Sequence, residues 1–108
     1  EMTDFNDRER AEEAKFAHDE EMHFRIHARR NRLLGQWAAE QMGLSAVEAE
    51  AHAKSVVQAD FEEAGDEDVV RKLLGDLVSA GVDADEAEVR SALKDKEVEA
   101  RRQIMGEA

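Results

Sequence analysis

Residues 66–81 read Asp66-Glu67-Asp68-Val69-Val70-Arg71-Lys72-Leu73-Leu74-Gly75-Asp76-Leu77-Val78-Ser79-Ala80-Gly81, and they decide the fold. Val70, Leu73, Leu74 and Leu77 recur at the i, i+3, i+4, i+7 spacing that puts apolar groups on one helix face, with Val69 beside them. Asp66 stands where an N-cap carboxylate can accept an unpaired amide of the first turn. Gly81 stands where a left-handed residue can end the last one. The stretch is therefore one amphipathic helix with its start and stop chemistry written out.

The flanks repeat the pattern. Upstream, Ser45 with Glu48 forms a capping box, and Ala46, Ala49, Ala53, Val56, Val57 and Phe61 follow at helical spacing up to Gly65. Downstream, Asp83 with Glu86 opens a helix carrying Val89, Ala92, Leu93, Ala100 and Ile104. Arg101 and Arg102 lie near its negative dipole end and Gly106 is its stop. From Asp7 to Met42 only Gly35 interrupts a helical pattern, a length of roughly 50 Å at 1.5 Å per residue. A core this small cannot cover such a helix. Ile26, Leu33, Leu34, Trp37, Ala38 and Met42 read as core-facing, whereas residues 1–25 offer few large apolar groups beyond Phe5, Phe16, Met22 and Phe24. Fixing a backbone costs about 1–2 kcal/mol per residue, which so little apolar surface does not offset. Residues 1–18 are therefore expected to be a mobile N-terminal segment, and residues 19–108 a four-helix bundle with short connections near Gly43, Gly65 and Gly81. The fold class is all-α.

Composition agrees. The chain has 108 residues, enough for one domain, and contains no Pro and no Cys, so neither helix breaks nor disulfides are called for. No apolar run approaches the length of about 18 residues of a membrane span, and no export signal is written at the start, so a cytoplasmic location is expected. A net charge of −12 repels phosphate backbones and anionic bilayers, which argues against nucleic acid or membrane lipid as partners. The charge is uneven. Residues 1–23 carry nine acids against three bases, residues 24–39 carry four Arg and no acid, and residues 40–68 carry nine acids against Lys54.

Catalytic chemistry has little to draw on. There is no Cys or Tyr, the Ser residues are scattered without a nucleophile elbow, and no Gly-rich phosphate loop occurs, so the chain does not read as an enzyme. Only Glu20 with His23 matches half of a di-iron motif, and His23 with His27 is a pair lacking a third ligand, so no metal site is expected. That His pair is better suited to sensing pH. Phe24 to Arg32 forms a basic island. Its residues can pair with acids on neighbouring helices; alternatively Arg29, Arg30 and Arg32, with Trp37 two turns on, can hold the phosphates and base of a nucleotide. Phe5 and Phe16 lie eleven residues apart and share a helical face with Glu9, Glu12, Glu13 and Glu20. That face is too weakly apolar to bury at home and suits insertion into a partner's groove.

Three blocks together resemble the zeta subunit family, the inhibitor of the alphaproteobacterial F1Fo ATP synthase. They are Phe5-Asn6-Asp7-Arg8-Glu9 with Glu13-Ala14-Lys15-Phe16-Ala17-His18-Asp19-Glu20-Glu21, then residues 28–40, then residues 59–72. The resemblance implies a bundle whose N-terminal segment folds into the catalytic αβ interface of F1 beside the central stalk and blocks rotation. Phe5, Asp7, Arg8, Glu9, Arg10, Glu13, Lys15, Phe16 and His18 would then bind the partner, with Phe16 as anchor. It also implies binding of ADP or ATP as a regulatory ligand, for which Arg29, Arg30, Arg32 and Trp37 are the candidates on chemistry; no cofactor is required. The implied partners are the alpha, beta and gamma subunits, with the protein peripheral to the inner membrane through F1. Ala64 stands where the family often has Pro, and Asn6 where it tends to have Asp. The competing reading is a nucleotide-binding bundle whose effect on F1 is slight.

Overall fold

The structure, a computed structural model, describes residues 2–60 and 65–107, with the side chains of residues 6–60 and 65–106. Four helices follow in order, α1 (Met2–Met42), α2 (Ala46–Ala59), α3 (Glu67–Ser79) and α4 (Glu86–Glu107), and no strand occurs among the described residues. The chain measures 68 × 25 × 21 Å because α1 runs on past the other three. Residues 6–21 are exposed throughout, so the bundle proper begins at Met22.

The stripe of α3 buries as its spacing requires, with Val69, Val70, Leu73 and Leu77 joining Leu34, Ala38, Val56, Val89, Ala92 and Leu93 in the main core. A smaller cluster of Met22, Ile26, Ala100 and Ile104 lies between α1 and α4. The capping box of α2 is present in both directions, and Gly81 takes φ +80°, which lets the Val82 amide close back on the Leu77 carbonyl at 2.9 Å. Two caps differ from the sequence reading. The carboxylate of Asp66 makes no capping bond, because it turns instead to Arg30. The cap of α4 is Asp85, whose Oδ1 accepts the Glu88 amide at 2.8 Å; Asp83 lies in the connection, where Val82 and Ala84 pack on the core and push the helix start two residues along. The α4 helix also passes Gly106. Phe61, assigned to α2 by its spacing, falls outside the described residues.

Gly35, the one irregularity of α1, sits at the crossing with α2. A Cβ there would lie 2.6 Å from the Ala53 Cα, so only hydrogen permits the two backbones this close. His52 reinforces the crossing: Nδ1 lies 3.0 Å from the Gly35 carbonyl oxygen and Nε2 2.8 Å from Asp76 Oδ2, which also accepts from Lys72 Nζ at 3.0 Å. One imidazole thus ties α1, α2 and α3.

Between the two apolar clusters lies a polar layer centred on Arg30, which is fully buried beside Asn31. Its Nε donates to Asn31 Oδ1 at 3.0 Å and its Nη1 to Glu97 Oε1 at 3.4 Å. Its Nη2 stands 2.9 Å from Asp66 Oδ1 and 3.9 Å from Asp60 Oδ1, ion pairs without an aligned hydrogen bond. His27 borders the layer, 3.8 Å from Glu97 Oε1 and ring to ring with His23 at 4.1 Å. Burial, then the Arg30 charge, then His23 hold its imidazole below the ordinary range.

Three outcomes follow from these contacts. Gly35→Ala forces α1 and α2 apart and should cost about 2 kcal/mol in denaturant unfolding, as overpacking does. Arg30→Ala strands the carboxylates of three segments and opens a cavity, and should cost about 3 kcal/mol, whereas Arg30→Met, which refills the volume, should cost clearly less. Because His27 is more readily protonated unfolded than folded, its contribution is present above about pH 6.5 and is lost as pH falls towards the lowered folded value. The drop in unfolding midpoint between neutral and mildly acidic buffer should therefore be smaller in His27→Gln than in the native chain.

Candidate functional site

The exposed half of α1 holds the residues that the sequence singled out for partner binding. Asp7, Arg8, Glu9, Arg10, Glu13, Lys15 and His18 are all exposed, and Phe16 keeps 66% of its surface in solvent. The side chain of Phe5 lies outside those described. Phe16, the one large ring among the described side chains before Met22, has no role in the fold, since neither core cluster reaches it. What it can do is supply contact area to a groove elsewhere, with the flanking charges setting register.

The four residues put forward for a nucleotide separate in space. Arg30 is sealed in the polar layer. Arg29 Nη1 donates to Gln103 Oε1 of α4 at 2.7 Å, and Arg32 Nη2 donates to both oxygens of Glu50 on α2 at 2.8 and 2.6 Å, which holds the Glu50 carboxyl below the usual carboxylate range. Trp37 is half-buried against the main core and borders a different groove, with Glu88, Ser91 and Asp95 of α4. The structure therefore brings Arg29 and Arg32 together and leaves Arg30 and Trp37 out. Pairing with acids and amides of neighbouring helices, the plainer reading of the basic island, describes what these arginines do.

Arg29 and Arg32 border an open groove of about 300 Å³ over Phe24, Ala28, Val57 and Ile104. Phe24 is 54% exposed. No local pattern in the sequence marks this groove, because Val57 and Ile104 come from helices distant in sequence. The partners of Arg30 were hidden for the same reason: Asp60, Asp66 and Glu97 lie thirty or more residues away in the chain and carry no local signature. Among the described residues no group of three or more His, Asp or Glu could hold a metal, and no helix is long and apolar enough to cross a membrane.

Residues 2–103 match the family described as ATPase inhibitor subunit zeta. The fold is similar to that of a protein determined by solution NMR, with 50% sequence identity and a TM-score of 0.71, over 81% of this chain and 99% of that one. Comparison with curated protein sequences gives no match. The family match spans the exposed half of α1 and nearly all of the bundle, and on it the chain belongs to the ATPase inhibitor subunit zeta family.

Proposed function

We propose that this chain is a regulatory subunit that inhibits ATP hydrolysis by F1, inserting its N-terminal helix into the catalytic αβ interface and blocking rotation mechanically. The observation that carries the proposal is the exposed run of α1 from Asn6 to Glu21 with Phe16 66% in solvent, joined to membership of an ATPase inhibitor family. In this reading residues 1–18 are a mobile segment, helical from Met2 but packed on no core, whose position is fixed on docking, while residues 19–108 are the bundle that carries it. Phe5 and Phe16 are the apolar anchors, with Asp7, Glu9, Glu13 and His18 beside them, and Arg8, Arg10 and Lys15 meet acids on the alpha, beta and gamma subunits. No group of the chain takes part in bond making. The protein is held at the inner membrane only through F1.

A helix working this way inhibits by occupying a cleft that must close and reopen in each cycle, so its effect depends on residence rather than chemistry. Anchors of this kind contribute 2 kcal/mol or more, on the order of 30-fold in affinity. Binding of ADP or ATP by the bundle is the alternative reading. It would require Arg29 and Arg32 to leave Gln103 and Glu50, and an ADP titration followed by amide shifts around both residues reports it directly.

F1 depleted of this subunit should lose ATP hydrolysis when the full chain is added back and keep it when residues 19–108 are added. Phe16→Ala should raise the concentration needed for half inhibition on the order of 30-fold. Its thermal unfolding should match that of the native chain, since Phe16 supports no core. Equal inhibition by the truncated chain would remove the mechanism.

A further inference from the structure

We infer that two copies of this chain pair through antiparallel α1 helices, the acidic exposed half of each lying in the arginine-rimmed groove of the other. The first ground is charge. Along α1, residues 6–23 carry seven acids against three bases, and residues 24–39 carry no acid and hold Arg25, Arg29 and Arg32 part-exposed, Arg30 being sealed inside. Two such helices side by side in parallel set like charges together; antiparallel, each acidic half faces the part-exposed arginines of the other, where Arg32, 40% exposed beside Glu50, shares its charge with the incoming acid.

The second ground is register. Glu12, Phe16, Glu20, Phe24, Ala28 and Arg32 follow one another at i+4 along a single row of α1. Such rows are the ridges by which helices interlock. A two-fold axis near Met22 sets this row against itself: Glu12 meets Arg32, Phe16 meets Ala28, and Glu20 meets Phe24 of the other copy. Ala28 is the one small member of the row. It lines the groove of about 300 Å³ together with Val57, Ile104, Phe24, Arg29 and Arg32. The ring of Phe16, 66% exposed, meets the apolar lining residues Ala28, Val57 and Ile104 there, and Phe24, 54% exposed, is covered by the same contact. The symmetry does this twice, once on each side of the axis.

The net charge of −12 opposes association at a distance, but at about 0.15 M salt the screening length is about 8 Å, which damps the long-range repulsion more than contacts between touching groups. Pairing of this kind occupies Phe16, so it competes with any other use of that ring.

Sedimentation equilibrium of the full chain in about 0.15 M salt, from about 10 µM to about 1 mM, tests this. The average mass should climb from 12.1 kDa towards twice that value. Phe16→Ala should weaken association at least tenfold. The double variants Glu9→Arg/Glu12→Arg and Arg29→Glu/Arg32→Glu should each stay monomeric alone and should pair when mixed, because each then offers the charge that the other lacks. A chain that stays monomeric up to the highest concentration overturns the inference. So does association that Phe16→Ala leaves unchanged, or a mixture of the two charge variants, each shown folded by its helical circular dichroism, that fails to pair.

Discussion

The arrangement of this small bundle depends first on the burial of a single guanidinium. Arg30 enters from α1 with no surface in solvent, and around it gather Asp60 after α2, Asp66 before α3 and Glu97 on α4. A lone buried cation would be prohibitively costly, so the helices are obliged to bring carboxylates to it. Those carboxylates are themselves part-exposed, Asp66 by 40% and Glu97 by 37%, so they keep some hydration while neutralising the charge. Apolar packing alone would leave the two clusters either side free to slide along α1, since Leu, Ile, Val and Ala surfaces are only loosely specific. The polar layer between them admits one register.

The crossing of α1 with α2 supplies the second constraint. At Gly35 the backbones come so close that no side chain fits, and His52 fastens the same point from α2 to Asp76 on α3. Arg30 and Gly35 lie five residues apart on α1, little more than one turn. The middle of the long helix is thus its rigid part, and Met22 marks where packing ends. Residues 6–21, just N-terminal to it, are exposed throughout, with Phe16 the one large apolar side chain among them.

Elements whose signals are local were readable in the sequence. The Ser45–Glu48 box, the α3 stripe and the Gly81 stop each involve residues within one or two turns, and each is present as written. The Asp83–Glu86 spacing has the same local form and yet lost to Asp85–Glu88, because Val82 and Ala84 seek the core and set the phase of the connection. Asp66 shows a second kind of failure: a good capping residue was taken by a stronger, charged partner from another helix. The basic island divided for that reason too. Spacing put Arg29, Arg30 and Arg32 together, but consecutive helical positions point about 100° apart, so one went to the interior and two to opposite neighbours, Gln103 and Glu50. Whether a charged side chain will face inward depends on acids elsewhere in the chain, which no local pattern states. For the exposed half of α1 the sequence was informative in the opposite way. Its poverty in large apolar residues foretold that it would find no place in the core.

That exposed half also gains from being an extension rather than a separate peptide. A free helix must form its first turn against an equilibrium of about one in a thousand before each further residue adds a hydrogen bond, and segments shorter than about a dozen residues seldom form in water. Residues 6–21 avoid that step, because Met22, Ile26 and Arg30 hold the following turns in helical geometry and offer carbonyl-to-amide continuity from the C-terminal side. Growth from a formed end needs only the favourable or near-neutral propagation of Ala, Glu, Arg and Lys, of which this stretch largely consists. The bundle therefore serves as a permanent helix nucleus for a segment that has no core of its own. A partner that engages Phe16 need not supply the ordering free energy of a disordered chain, only the smaller cost of quieting a helix that already exists.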